Sequence, residues 1–339
     1  MKYPVRILSA DLLIADIIVV RDNNPEATAL AQRYRLLPGG KITLDKAQYS
    51  DFQVLAGPTA IIAPGGSSAN MLTTLGKLLG KDVEIGFFGI AGEGKYGAMI
   101  RRSLIDARIA LYPETLSPQL LPQCGVSFVI VCKDGQRTIA TWPGNARALL
   151  TPEMITNDTV QKSDALLLQG SLWHKLDTAF PDRLLELSRK YGKELWLTLP
   201  TQGALSVAER AHFQHILQQA ALLFGNDGEL ARLYGMPAEE ALAHLQKNIG
   251  PGLAFITSGH SGATIVTAHV VEHVPSAPIA PDAIVNTLGA GDTAFAGFAA
   301  GYLKGLPHHA SAQLAMQLAV EKLRINAPRL ANPVMTNFL

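Results

Sequence analysis

Hydrophobic positions fall into short, dense runs along the chain, and most of these runs are too brief for buried helices. Ala60–Ala63, Val83–Phe88, Ala165–Gln169, Leu195–Leu199, Ala221–Phe224 and Leu253–Thr257 read as strands buried on both faces. Between most of them apolar residues recur at spacings of three and four, predicting helices over Asn70–Leu79, Arg183–Tyr191, Ala208–Gln219 and Ala238–Lys247. Strands alternating with helices imply an α/β protein with a mainly parallel central sheet flanked by helices. The N-terminal apolar stretch runs to Val20, broken by Asp11 and Asp16, and reads as one more buried strand.

Two regions break this rhythm. Gly125–Cys132 and Arg137–Trp142 are rich in β-formers and flank Lys133-Asp134-Gly135-Gln136, where Asp-Gly signals a hairpin. The stretch from Ile17 to Gln53 is irregular and β-leaning, with a turn at Gly39-Gly40. Paired together, the two would form a small β-sheet lid over the carboxyl ends of the main strands, where ligands of open α/β folds sit. The expected division places residues 1–16, 57–106 and 143–339 in the α/β domain and 17–56 and 107–142 in the lid.

Composition narrows the function. With 339 residues, 48% hydrophobic and 17% charged, the chain can bury a large core. A net charge of +1 without a dense basic run gives no reason to expect nucleic acid as the main partner. The early apolar stretch carries acids and no cleavage signal, so neither a signal peptide nor a membrane span is expected. Two cysteines, Cys124 and Cys132, are too few for a disulfide framework, and a cytoplasmic protein is expected.

The most informative chemistry lies in Val285-Asn286-Thr287-Leu288-Gly289-Ala290-Gly291-Asp292-Thr293-Ala294-Phe295. A short apolar strand feeds a turn of tiny residues, and a helix follows with Phe295, Phe298 and Tyr302 on one face. Small residues let backbone amides approach a ligand, and a helix start offers unpaired N–H donors with the positive end of the dipole. Asp292, in that first turn, could accept the proton of an attacking hydroxyl while the amides hold a phosphoryl group. The same residues also read as a plain glycine turn with Asp292 capping the helix.

Other motifs compete. Gly289–Ala294 fits the GxGxxA dinucleotide fingerprint, but Glu321 lies too far on and fewer than fifty residues follow Gly291, so no βαβ unit fits. Gly259-His260-Ser261-Gly262-Ala263 approaches a hydrolase nucleophile elbow but ends in Ala263; Asp282, Asp292, His269, His273, His308 and His309 follow, so a serine hydrolase using Ser261 stays a remote alternative, as does a non-catalytic ligand-binding protein. Gly92-Glu93-Gly94-Lys95-Tyr96 is no intact phosphate loop, and His212 and His215 lack further metal ligands.

Taken together, several segments resemble the ribokinase-like (phosphofructokinase B) carbohydrate kinase family. Asn286–Asp292 is similar to its D-T-x-G-A-G-D signature, and Ala63-Pro64-Gly65-Gly66-Ser67-Ser68-Ala69-Asn70 to its N-terminal glycine signature. Asn226-Asp227-Gly228-Glu229 resembles the N-x-x-E motif, Thr257–Ala263 the T-x-G-x-x-G segment, and Asp16 the acceptor of substrate hydroxyls. Leu37–Asp45, Gly135–Gly144, Leu166–Trp173 and Leu222–Leu230 resemble the adenosine-kinase-like branch. Asn286 in place of the usual Asp, with Trp142-Pro143-Gly144 and Ala327-Pro328-Arg329-Leu330, is similar to bacterial inosine-guanosine kinases.

The resemblance implies a three-layer ribokinase-like fold and ATP-dependent phosphorylation of a small molecule, either the 5′-hydroxyl of adenosine, inosine or guanosine or a hydroxyl of a sugar. It implies Asp292 as base and Gly289, Ala290 and Gly291 as anion hole. Asp16, Gly66, Ser67 and Asn70 would hold the acceptor's hydroxyls, and Thr257, Gly259 and Gly262 would line the ATP site. Asn226 and Glu229 would order magnesium through water, and Asn286, lacking the charge of Asp, puts potassium activation in doubt. A monomer or homodimer acting on a small substrate, with neither nucleic acid nor membrane as partner, is the accompanying expectation. Arg137, on the lid hairpin, could reach the substrate or remain exposed, and Trp142, Trp173 and Phe128 could stack on a base or be core.

Overall fold

A computed structural model describes residues 4–37, 39–113, 122–132, 136–173, 178–200, 206–333 and 335. The fourteen strands among them are β1 (Val5–Ala10), β2 (Ile14–Val20), β3 (Lys41–Thr43), β4 (Ile61–Gly65), β5 (Val83–Phe88), β6 (Ile109–Tyr112), β7 (Gly125–Val131), β8 (Arg137–Trp142), β9 (Ala165–Gln169), β10 (Glu194–Thr198), β11 (Leu222–Asn226), β12 (Leu253–Thr257), β13 (Ala263–Val266) and β14 (Val271–Val274). Nine of these form one sheet in the order β14-β13-β12-β11-β10-β9-β1-β5-β6, and five form a second in the order β3-β8-β7-β2-β4.

The large sheet is parallel from β6 to β12 and closes at one edge with the antiparallel pairs β12–β13 and β13–β14. Alternate residues of its strands point to opposite faces. Ile7, Leu167, Trp196, Phe224 and Phe255 face the helices Ser67–Leu79, Gly94–Asp106, Ala290–Leu303 and His308–Leu323. Leu8, Leu166, Leu197, Leu223 and Ile256 face Ala179–Tyr191, Val207–Leu217, Asp227–Tyr234 and Ala238–Asn248. This is the three-layer α/β architecture, and burial on both faces explains why its strands are unbroken apolar runs.

The small sheet has its own core, in which Ile17, Val19, Phe128 and Ala140 meet Leu30, Phe52 and Leu55. Its opposite face brings Ile18, Val129 and Val131 against Leu288, just before the glycine turn. The small sheet therefore packs directly on the segment that carries the candidate chemistry.

Several elements differ from the sequence expectation. The N-terminal apolar run, read as one strand, is two strands in different sheets, and Asp16 lies within the second, β2. The break falls at Asp11, whose Oδ1 accepts from Leu12 N at 2.7 Å and Oδ2 from Ser68 N at 3.2 Å. The run Ala60–Ala63 belongs to β4, the edge of the small sheet antiparallel to β2, rather than to the central sheet. The strand β6, expected in the lid, pairs with β5 at the edge of the large sheet. The region read as irregular holds two helices, Pro25–Arg33 and Lys46–Phe52. Both carry start signals: the Asn24 side chain accepts from Ala27 N, with Pro25 in the first turn, and Asp45 forms a capping box with Gln48. β7 and β8 pair antiparallel as expected, while the Asp134-Gly135 turn lies outside the described residues.

Candidate active site

Phe295 and Phe298 of the helix Ala290–Leu303 seat it on Phe224 and Phe255, and Tyr302 packs edge-on to Trp196. That anchorage fixes the preceding turn. Gly289 has φ +77, and a Cβ there would run into the Pro328 carbonyl, so the position requires glycine. The helix starts with no side-chain cap. Gly291 is exposed, and a Cβ on it would meet nothing within 4 Å. Bare amides at a helix start facing open space suit an anion.

Asp292 is half-buried and does not cap its own helix. Its Oδ1 accepts from Ser67 Oγ, and its Oδ2 accepts from Asn70 Nδ2 at 2.9 Å. Both donors stand in the first turn of the helix Ser67–Leu79, which begins after Gly66 at φ +93. Two helix N-termini therefore converge on one carboxylate. Burial pushes the Asp292 carboxyl above the usual range, while the bonds from Ser67 and Asn70 and the charges of Arg137 and Lys41 pull it back.

Asp16 faces the same region from β2 and is 6% exposed. A Cβ on Gly65 would collide with its carboxylate, so the glycine signature makes room for the acid as well as starting a helix. Burial raises the Asp16 carboxyl to about 7, with Arg329 and Arg137 opposing and Asp292 adding. Arg137 Nη1 donates to Thr287 Oγ1 at 2.7 Å, linking the small sheet to the glycine turn, so this arginine is not an exposed lid residue. Arg329, which the sequence marked only as part of a branch motif, donates from Nε to Asn70 Oδ1 at 2.6 Å and from Nη1 to Ser103 Oγ at 2.7 Å. Nothing in a lone arginine near the end of the chain signals that contact.

Asn226 and Thr257 are register partners at the carboxyl ends of β11 and β12. Asn226 and Glu229 form a capping box, with Glu229 N donating to Asn226 Oδ1 at 2.8 Å and Asn226 N to Glu229 Oε2 at 3.1 Å. Glu229 is 6% exposed; burial raises its carboxyl, and the Lys41 ammonium pulls it down most strongly. Lys41, on β3, is thus a second cation that the small sheet brings toward the cleft. Thr257 Oγ1 donates to Gly225 O at 3.3 Å. Gly262 has φ +107, and a Cβ there would strike the Val274 carbonyl, whereas Gly259 faces open space. These three residues shape the loop after β12, and their contacts are local.

Asn286 is fully buried, its Oδ1 accepting from Leu288 N at 2.8 Å and its Nδ2 donating to Asn326 Oδ1 at 2.9 Å. Among the described residues no group of three or more His, Cys, Asp or Glu could hold a metal ion. Ser261 is exposed in a tight turn, and His309 pairs with Glu272 at 2.7 Å. Phe128 and Trp173 are core residues, and Trp142 stacks on Tyr49 at 4.1 Å.

A cytidine kinase of Thermococcus kodakarensis is 27% identical over 158 residues, which span 46% of this chain and 56% of that protein. A ribokinase of Bacillus subtilis is 25% identical over 83% of this chain and 89% of its own length. An adenosine kinase from Sinorhizobium meliloti shares the fold with a TM-score of 0.83 at 22% identity, covering 97% of each chain. The Schistosoma mansoni adenosine kinase in complex with 2-fluoroadenosine shares it with a TM-score of 0.82 at 17% identity, covering 98% of each chain. The pfkB family carbohydrate kinase model matches residues 39–326, a span that includes Gly65–Asn70, the Gly289–Gly291 turn and Asp292. The chain belongs to the pfkB family of carbohydrate kinases, ATP-dependent phosphotransferases.

Proposed function

We propose that the protein transfers the γ-phosphate of ATP to the 5′-hydroxyl of a ribonucleoside, a purine nucleoside such as adenosine, inosine or guanosine. The observation that carries this reading is the carboxylate of Asp292, gripped by Ser67 and Asn70 where two helix N-termini meet. An acid whose burial raises its proton affinity, set beside bare amides, is suited to take a proton from an alcohol. In the step proposed, Asp292 accepts the acceptor hydroxyl's proton as that oxygen bonds to the γ-phosphorus. The bond to the β,γ-bridging oxygen breaks, and ADP leaves with it. Amides of Gly289, Ala290 and Gly291 hold the oxygens of the moving group. Asp16, Gly66, Ser67 and Asn70 orient the acceptor, since a diol suits a carboxylate and an amide side by side.

Asn226, Thr257, Gly259 and Gly262 line the nucleotide side, at the carboxyl ends of β11 and β12. Magnesium accompanying ATP would neutralise charge on the phosphate oxygens. The fit is through water: the Glu229 Oε2 already accepts from Asn226 N, and magnesium surrenders its waters reluctantly. The small sheet acts as the lid, carrying Arg137 and Lys41 to the phosphates and excluding water that would compete as acceptor. Both cysteines are free thiols, which suits a cytoplasmic setting. Among the described residues no helix is long and apolar enough to cross a membrane.

The second reading, a sugar kinase of the same family, is favoured by the ribokinase match over 83% of the chain. An ADP-release assay with ATP and a panel of purine and pyrimidine nucleosides, ribose, fructose and keto-sugar acids separates the two. Turnover with a purine nucleoside and none with free sugars is expected. Preference for a free sugar overturns the nucleoside assignment, and no ADP release with any acceptor overturns the kinase reading of this chain.

A further inference from the structure

One buried charge behind the anion turn has no part in the reaction described above. Lys322, in the last turn of the helix His308–Leu323, is 0% exposed. Burying an ammonium without an acid partner is costly, so its surroundings must repay it. Its Nζ donates to two backbone carbonyls, Asn286 O at 3.2 Å and Ile325 O at 3.3 Å. Asn286 opens the segment that runs into Gly289–Asp292, and Ile325 lies in the segment that leads to Pro328 and Arg329. The same two segments are stitched together by Asn286 Nδ2 to Asn326 Oδ1 at 2.9 Å, and Val285 N donates to Leu323 O at 2.8 Å.

Backbone carbonyls converging in a buried pocket are what a dehydrated monovalent cation requires. Potassium, which the family resemblance brings to residue 286, does not fit here. The Asn286 carbonyl is already taken by an ammonium, its side-chain oxygen is taken by Leu288 N, and the amide supplies no negative charge. A second cation would face the first across a few ångströms of low-dielectric interior.

We propose that Lys322 is the protein's own monovalent cation: a tethered ammonium that joins the 286 and 325 carbonyls, holds the Gly289–Gly291 amides in place and makes phosphoryl transfer independent of potassium. The inference rests on the kinase reading of the same turn. Two carbonyl acceptors around Nζ suit the ammonium form; burial lowers its pKa to about 8, with Arg137 lowering it further and Asp292 opposing. Lys322 touches no reactant; it is a positioning residue.

The test compares the full chain in tetramethylammonium chloride and in potassium chloride at equal ionic strength of about 0.1 M. Wild-type turnover is expected to be the same in both salts, as is its unfolding temperature. Lys322→Ala opens the space between the carbonyls. It should lose about 10- to 100-fold in turnover in tetramethylammonium and recover with ammonium or potassium. Its unfolding temperature should rise in potassium, because a cation bound only to the folded state stabilises it. Lys322→Met fills the gap and should stay slow in every salt. Marked potassium activation of the wild type overturns the proposal, as does full turnover in either variant or a loss in Lys322→Ala that no small cation repairs. If neither variant folds, the wild-type salt response decides. The unfolding measurement needs no acceptor, so it stands even if the kinase assay finds no substrate.

Discussion

Asn70 donates its amide N–H to Asp292 at 2.9 Å because its amide oxygen is claimed by Arg329 at 2.6 Å. An amide can face either way, and the guanidinium decides which end meets the acid. Arg329 also bonds Ser103 Oγ at 2.7 Å and Thr73 Oγ1 at 3.2 Å, so it is itself held in place. Arg329→Met should cut turnover by about 10- to 100-fold, the usual cost of losing a partner one shell removed. The KM for ATP should change little. Arg329→Lys should restore little of the loss, since a single point donor cannot satisfy all three partners. Steady-state kinetics of the two variants check this, and a rise in ATP KM with unchanged turnover would contradict it.

The two glycines of the turn should respond differently to one added methyl group. Gly289→Ala forces a left-handed backbone on an L-residue and drives Cβ into Pro328, so stability should fall by at least about 1–2 kcal/mol. Gly291→Ala meets open space and sits within a helix, so the folded state should be as stable or up to about 1 kcal/mol more stable. Its activity should still fall, because the methyl stands where the phosphoryl group must approach. Chemical denaturation and turnover measured on both variants separate a packing role from an anion-binding role.

Asp16 gives the pH dependence. Its carboxyl is raised from 3.8 to about 7, so between those values the folded chain binds more protons than the unfolded chain. Stability therefore declines as pH rises through that window, and the unfavourable contribution is fully present above about 7. Acceptor binding has the opposite sign. A diol donates to the ionised form, so affinity should rise with pH up to about 7 and then level off, with a proton released to buffer on binding below that value. Calorimetric titration in buffers of different ionisation enthalpy measures this, and Asp16→Asn should flatten the profile. An acceptor affinity that falls as pH rises from 5 to about 7 would contradict the assignment.

Much of the large sheet was legible because double-sided burial writes itself as unbroken apolar runs such as Ala165–Gln169 and Leu253–Thr257. The small sheet was harder. Its strands come from distant parts of the chain, and β2 follows β1 with only Asp11–Leu13 between them, so hydropathy alone could not show the change of sheet. The edge strand β4 resembled a core strand for the same reason. In the site, Asp292 stood in a glycine-rich helix start and could be singled out from local chemistry, whereas Ser67 and Asn70 were marked only by the family resemblance, and their bonds to Asp292 span more than two hundred residues. Arg329, Lys41 and Lys322 could not, because each acts across a long sequence separation and lies in no motif with a local physical signature. Arg137 was visible as a lid residue, but only the packing of Leu288 against the small sheet shows why it reaches Thr287.

The most direct test is Asp292→Asn, which keeps the shape and one acceptor oxygen for Asn70, with the Ser67 hydroxyl turned to accept from the new amide, while removing the base. Turnover with the best acceptor from the panel should fall by at least about 100-fold, and acceptor and ATP binding, measured by calorimetry, should stay within a few-fold of the wild type. Near-normal turnover in this variant would contradict the role of Asp292 and the mechanism built on it.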